Sequence, residues 1–227
     1  MVLLDFLVRP PRGARLLAER PRWLAPFLIL AAIHVALSLV ADRQQTDAVL
    51  AHLPATAGNA GRSEAAEFIV AGIITRALVQ PVRLLAGWSA FAGVMYLLAR
   101  SLAPRQPLSY MKLFALEVHA EGILALGMAV ALARSLAAGS PDLGPFTPAF
   151  SMAILSPADA PNSVRALLAS LNLFTLWYAA VLAAGTRVLC GVRVRVAVVV
   201  AAGSWALSVL FDIGILTLLI SALHLRV

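Results

Sequence analysis

Five apolar stretches, residues 24–41, 82–99, 113–133, 166–186 and 196–220, dominate this chain. Each comes close to the roughly 20 residues with which a helix crosses the ~30 Å hydrocarbon layer of a bilayer. Within lipid a segment must satisfy its own backbone N–H and C=O groups, so an α-helix is the regular structure open to a run of this kind. Composition agrees, because 61% hydrophobic against 13% charged residues is more apolar surface than one soluble core of 227 residues can hide. The expected fold is an all-α, polytopic membrane helix bundle with five transmembrane helices, a single membrane domain over 1–227.

The first span is marked by Trp23, an interfacial aromatic, and by Pro26 in the first turn, where a missing N–H does no harm. A secretory-signal reading of 24–41 is the competing one, with five arginines before it. The run is longer than the usual 7–15 residues of such signals, and its small-residue site at Ala36 and Ser38 lies inside the run, so the segment is read as retained. Lys and Arg on alternate sides set the orientation. Arg9, Arg12, Arg15, Arg20, Arg22, Arg100, Arg105, Lys112, Arg187, Arg193 and Arg195 fall on the N-terminal side. Arg43, Arg62, Arg76, Arg83, Arg134, Arg165 and Arg226 are spread over longer segments on the other. The N-terminus is therefore expected in the cytoplasm and the C-terminus outside.

Between the spans the chain is uneven. Residues 1–22 carry leucines and Phe6 among five arginines and read as short amphipathic pieces in the cytoplasmic interface, broken at Pro10 and Pro11, with a partly ordered tail as the alternative. Residues 42–81 begin polar, turn apolar at 68–74 and meet Pro81, which predicts an interfacial helix kinked into the membrane. Five prolines punctuate 139–163, an outer loop whose Phe146, Phe150 and Met152 can dip into the interface. No repeat at a fixed period is evident, which weighs against an inverted-repeat transporter.

Ionisable residues inside the spans point to function, since a charge at the bilayer centre costs about 2.5–3.5 kcal/mol. They are Glu117, His119 and Glu121 in the third span, Asp212 in the fifth and His34 in the first. Glu117 and Glu121 share a helix face and His119 points the opposite way. Glu121 lies roughly 13 Å and His34 roughly 15 Å from the cytoplasmic end, so the two can pair if their spans are neighbours. Asp212 sits about 24 Å along its span, too far for direct contact with Glu121. One reading is a proton or cation relay, or a coordination site, on Glu117, Glu121 and His34. The other is a set of protonated or paired carboxyls that only pin packing. Ser204, Ser208 and Asp212 form a polar stripe suited to interhelical hydrogen bonds, and small residues at intervals of four, such as Ser89 and Gly93 or Ala125 and Ala129, permit close approach.

Catalytic signatures are missing: there is no Gly-x-x-x-x-Gly-Lys phosphate loop, no His-Glu-x-x-His, no Gly-x-Ser-x-Gly and no Cys-x-x-Cys. Ser204 and His224 are about 30 Å apart on one straight helix and form no dyad. A single cysteine, Cys190, allows no internal disulfide and no cysteine-based metal site. No cofactor and no metal ligand set is expected. The basic residues flank apolar runs without interleaved aromatics, so nucleic acid is not expected as a partner.

Residues 165–205 carry a recognisable pattern: Arg165-Ala-Leu-Leu-Ala-Ser-Leu-Asn-Leu-Phe-Thr-Leu-Trp177, an apolar run to Gly185, a short basic turn and a further span with Trp205. This resembles the Yip family of polytopic membrane proteins, whose bacterial members show a Leu-Asp-x-Phe-x-x-Trp-like segment followed by a glycine and a turn. Asn172, Phe174, Trp177 and Gly185 are the matching positions, with Asn172 where the acid is usual. Pro21-Arg-Trp-Leu-Ala-Pro26 also looks like the family's start. The resemblance implies five spans, a cytoplasmic N-terminus and a binding or shaping role without catalysis. Eukaryotic relatives work with Rab-type GTPases. Alanine and arginine bias here suits a high-GC bacterium, where such a GTPase is not expected.

The expected function is thus a non-enzymatic scaffold or accessory subunit of the bacterial inner membrane, in contact with the lipid bilayer and with another membrane protein or a second copy of itself. The alternative is a small-solute or ion permease, or a subunit of one, using Glu117 and Glu121. A lipid-modifying enzyme is a distant third, lacking acids or histidines clustered at one interface.

Overall fold

The structure, a computed structural model, describes residues 5–6, 8–51, 58–138, 151–157 and 160–224, with 44, 45, 47–51, 58–66, 68, 69, 162, 163, 166 and 211–224 described as backbone only. Among these the fold is all-α: α1 (Pro10–Glu19), α2 (Leu24–Ala51), α3 (Gly58–Leu102), α4 (Tyr110–Ala138), a 3₁₀ turn (Met152–Leu155), α5 (Asn162–Ser170), α6 (Leu173–Cys190) and α7 (Val194–His224). Four segments are long and apolar enough to cross a membrane: Leu24–Arg43, Val70–Leu102, Tyr110–Ala138 and Leu173–Cys190. The apolar part of α7 spans Val194–Leu210 within a helix of 31 residues.

Two boundaries differ from the sequence expectation. The interfacial helix foreseen before residue 82 is continuous with the second span, and α3 runs 45 residues with Pro81 inside it. Such a helix is about 67 Å long, more than twice the hydrocarbon thickness, so one end must stand clear of the lipid. The fourth span starts at Leu173 rather than 166, because Asn172 caps it. The Asn172 side-chain oxygen accepts from the Thr175 N–H at 3.0 Å, and its amide donates to the Ala169 carbonyl at 3.2 Å, closing α5 and opening α6. At the other end of α6, Gly191 takes φ 63°, the left-handed conformation that ends a helix without a Cβ clash.

Helix α4 is the centre of the bundle, and every residue from Leu113 to Glu121 on it is buried. Helices α2, α3 and α6 pack around it, and α7 lies against α6 and α3. One apolar cluster joins α1, α3, α4, α6 and α7 through residues such as Phe6, Leu17, Met95, Leu116 and Leu182. A second, aromatic cluster ties α2 and α3 to α4: Phe27 meets Trp88 edge-on at 5.6 Å and Trp23 meets Phe114 at 5.2 Å.

The N-terminal segment is interrupted just ahead of Pro10, as its prolines predict: residues 5, 6 and 8 are helical, Arg9 leaves the helix at φ −138°, and Pro10 and Pro11 form the first turn of α1, where proline's fixed φ is already helical. Gly13, Ala14 and Leu17 make the buried face of α1, which docks on α6 and α4, while Arg12, Arg15 and Arg20 face outward. Phe6 is fully buried and fills the space in which Gly13 would otherwise carry a Cβ. The outer loop expected at 139–163, including Phe146, lies largely outside the described residues; Phe150 does too, and Met152 is half-exposed in the 3₁₀ turn.

Candidate functional site

Glu117 and Glu121 lie one turn apart on α4, as their spacing predicts, and both are enclosed, at 1% and 8% exposure. The partner is Tyr178 on α6, whose hydroxyl donates to Glu117 Oε1 at 2.7 Å and Oε2 at 2.8 Å. Glu121, beside Glu117 on the same face of α4, shares its burial. The Tyr178–Glu117 bond pins α4 to α6 from inside the core.

His119 does point away from the carboxyls. Its Nδ1–H donates to the Ala115 carbonyl at 2.7 Å, and its ring lies 5.3 Å from that of Phe6. The N-terminal segment thus covers this side of α4.

His34 behaves differently from the sequence expectation. Helices α2 and α4 are neighbours, yet no hydrogen bond or ion pair joins His34 to Glu121. Its Nδ1–H donates to the Leu30 carbonyl at 2.9 Å and its ring meets Trp88 at 5.8 Å. An i−4 carbonyl is always within reach on a histidine's own helix, and a ring of Trp88 occupies the side that faces the bundle. Among the described residues the polar stripe on α7 makes no bridge between helices. Ser208 donates to the Trp205 carbonyl of its own helix at 2.8 Å, and the buried Ser204 hydroxyl has no hydrogen-bond partner. The Asp212 side chain lies outside the described residues. Among the described residues no three His, Cys, Asp or Glu side chains converge as a metal site would require.

All four positions of the 172–185 segment have local tasks at this interface. Asn172 caps α6, Phe174 lies over Gly127 of α4, Trp177 packs on the main cluster, and Gly185 lets Leu116 of α4 occupy the place of a side chain. Conversely Gly93, expected to allow close helix approach, faces open space. Sequence reading missed Tyr178, although a tyrosine in mid-span whose O–H needs a partner is itself a signal. It also missed Phe6 and Trp88 as covers for the two histidines. No protein-family model, curated protein or solved structure matches this chain.

Proposed function

We propose that this chain is a non-enzymatic integral membrane protein of the Yip type, a five-span scaffold or accessory subunit with a cytoplasmic N-terminus that binds other proteins of a bacterial inner membrane. The observation that carries the reading is the buried hydrogen bond from Tyr178 to Glu117, with Glu121 enclosed beside it. A permease site must exchange its ligand with water on both sides in turn, whereas both carboxyls are buried and Glu117 is bonded to α6. Such a pair fixes the packing of the central helix and leaves the outer flanks of α2 and α3, with Leu28, Ile29, Leu78 and Val82 exposed, for lipid and partners.

The test is affinity purification of the tagged protein from its native membrane in gentle detergent, with mass spectrometry of what remains bound. A stoichiometric partner that survives Glu121→Gln is the expected result. Recovery of the protein alone, together with proton-coupled flux in proteoliposomes that Glu121→Gln abolishes, would replace this reading with the permease. Tags at the two termini should report opposite sides of the membrane; a shared side would remove one span.

A further inference from the structure

Away from the carboxyl pair, α2 and α3 enclose a cleft of about 380 Å³ lined by Ser38, Asp42, Arg76, Val79, Gln80 and Arg83. Two cations and one anion meet there. Arg76 donates to Asp42 Oδ1 at 2.8 Å, so that pair is neutral as a unit. Arg83 donates to Gln80 Oε1 at 2.9 Å, and among the described residues it has no carboxylate partner. Gln80 is buried and cannot neutralise the charge. The cleft therefore holds one uncompensated positive charge on a guanidinium that has donors to spare.

Height along the helices gives this charge its meaning. Asp42 lies about 27 Å from the start of α2 at Leu24, and Arg83 about 28 Å from the end of α3 at Leu102. Both distances fall just short of the ~30 Å hydrocarbon thickness, which places the cleft at the level of lipid phosphates on the face opposite those two helix ends. A smaller hollow lined in part by Val35, Leu39, Ile73 and Ala77 continues it, and exposed Val79 and Val82 flank it on α3. A guanidinium thus sits beside apolar surface of a kind that suits a glycerol backbone and acyl chain.

We propose that this cleft binds a phosphodiester anion, the headgroup of a singly charged phospholipid, with Arg83 as the principal phosphate ligand and the Arg76–Asp42 pair as the wall that holds the polar substituent. One uncompensated guanidinium matches one phosphodiester charge, and the volume is in the range of small-ligand pockets rather than of a bare phosphate ion. Planar N–H pairs of arginine suit phosphate oxygens in two-point contact.

The test is native mass spectrometry of the full chain in detergent, titrated with dioleoylphosphatidylglycerol and, separately, dioleoylphosphatidylcholine. The glycerol lipid should bind more tightly, Arg83→Gln should weaken it about tenfold, the scale of one charge-assisted contact, and Arg83→Lys should recover part of the loss. Arg195→Gln, an exposed arginine at the start of α7, should leave binding unchanged. Equal binding of the two lipids, or an Arg83→Gln variant that binds as the native chain does, would overturn the proposal. Displacement of the lipid by millimolar glycerol phosphate or inorganic phosphate would overturn the lipid assignment and make the cleft a site for a soluble phosphate. Arg83 is exposed, so folding of the variant is not at risk, and a thermal unfolding curve of each variant verifies it.

Discussion

Replacing Tyr178 by Phe removes one hydroxyl and almost no volume, so it tests the α4–α6 link without opening a cavity. One proton serves both contacts, at 2.7 and 2.8 Å, and they count as a single shared bond. Interhelical hydrogen bonds in membrane proteins average about 0.6 kcal/mol and reach about 1.7. That range puts the Tyr178–Glu117 coupling at about 0.6–1.7 kcal/mol. A double-mutant cycle isolates it: Tyr178→Phe, Glu117→Met and the double variant, each unfolded reversibly in mixed micelles with increasing dodecyl sulfate. Glu117→Met also changes the surroundings of Glu121, but that cost is common to the single and double variants and cancels. The single variants should sum to about 1 kcal/mol more destabilisation than the double shows. A coupling within about 0.3 kcal/mol of zero would mean that the tyrosine and the carboxyl are neighbours without being partners, and the case for a packing role would fall with it.

Three further outcomes follow from the same packing. Gly185→Ala should destabilise by about 1–3 kcal/mol, because Leu116 occupies the space of the new methyl, whereas Gly93→Ala should be neutral or slightly stabilising; thermal shift of the two variants decides it, and equal shifts would refute the close approach. Asn172→Ala should cost about 0.5–2 kcal/mol through loss of the α6 cap, and Asn172→Asp should restore most of it, as read from the same melts. Phe6→Ala should raise hydrogen exchange across Pro10–Glu19 while leaving α4 and α6 protected, since Phe6 anchors α1 alone; unchanged exchange in α1 would place its anchor elsewhere.

Much of this architecture was legible because lipid imposes simple rules. Apolar runs of span length declared α2, the membrane part of α3, α4 and α6, and the four-residue spacing put Glu117 and Glu121 on one face. Boundaries were harder where a helix continues past its apolar part, as α3 does through Pro81, or where a polar cap interrupts an apolar run, as Asn172 does at the start of α6. Partners were hardest. Which helix meets which depends on three-dimensional packing, so the sequence offered His34 to Glu121, while the structure gives Glu117 to Tyr178, a residue 61 positions away. Proline at 10 and 11 marked the break at Arg9, but the burial of Gly13, Ala14 and Leu17 on the helix that opens there depends on packing that no local pattern shows.

Phe6 and α1 dock on surfaces supplied by α4 and α6, which follow in the chain by roughly 100 and 150 residues. At about 5–20 residues per second of synthesis, the first segment leaves the ribosome some 8–30 s before its second contact surface is made. During that interval the arginine-rich helix and the Phe6 ahead of it have only the membrane surface to rest on, and the beginning of the chain packs no earlier than α6. Assembly of this fold therefore includes a late clasp, fastened once α6 is made, and any fusion placed ahead of Phe6 acts on that step rather than on insertion of the spans.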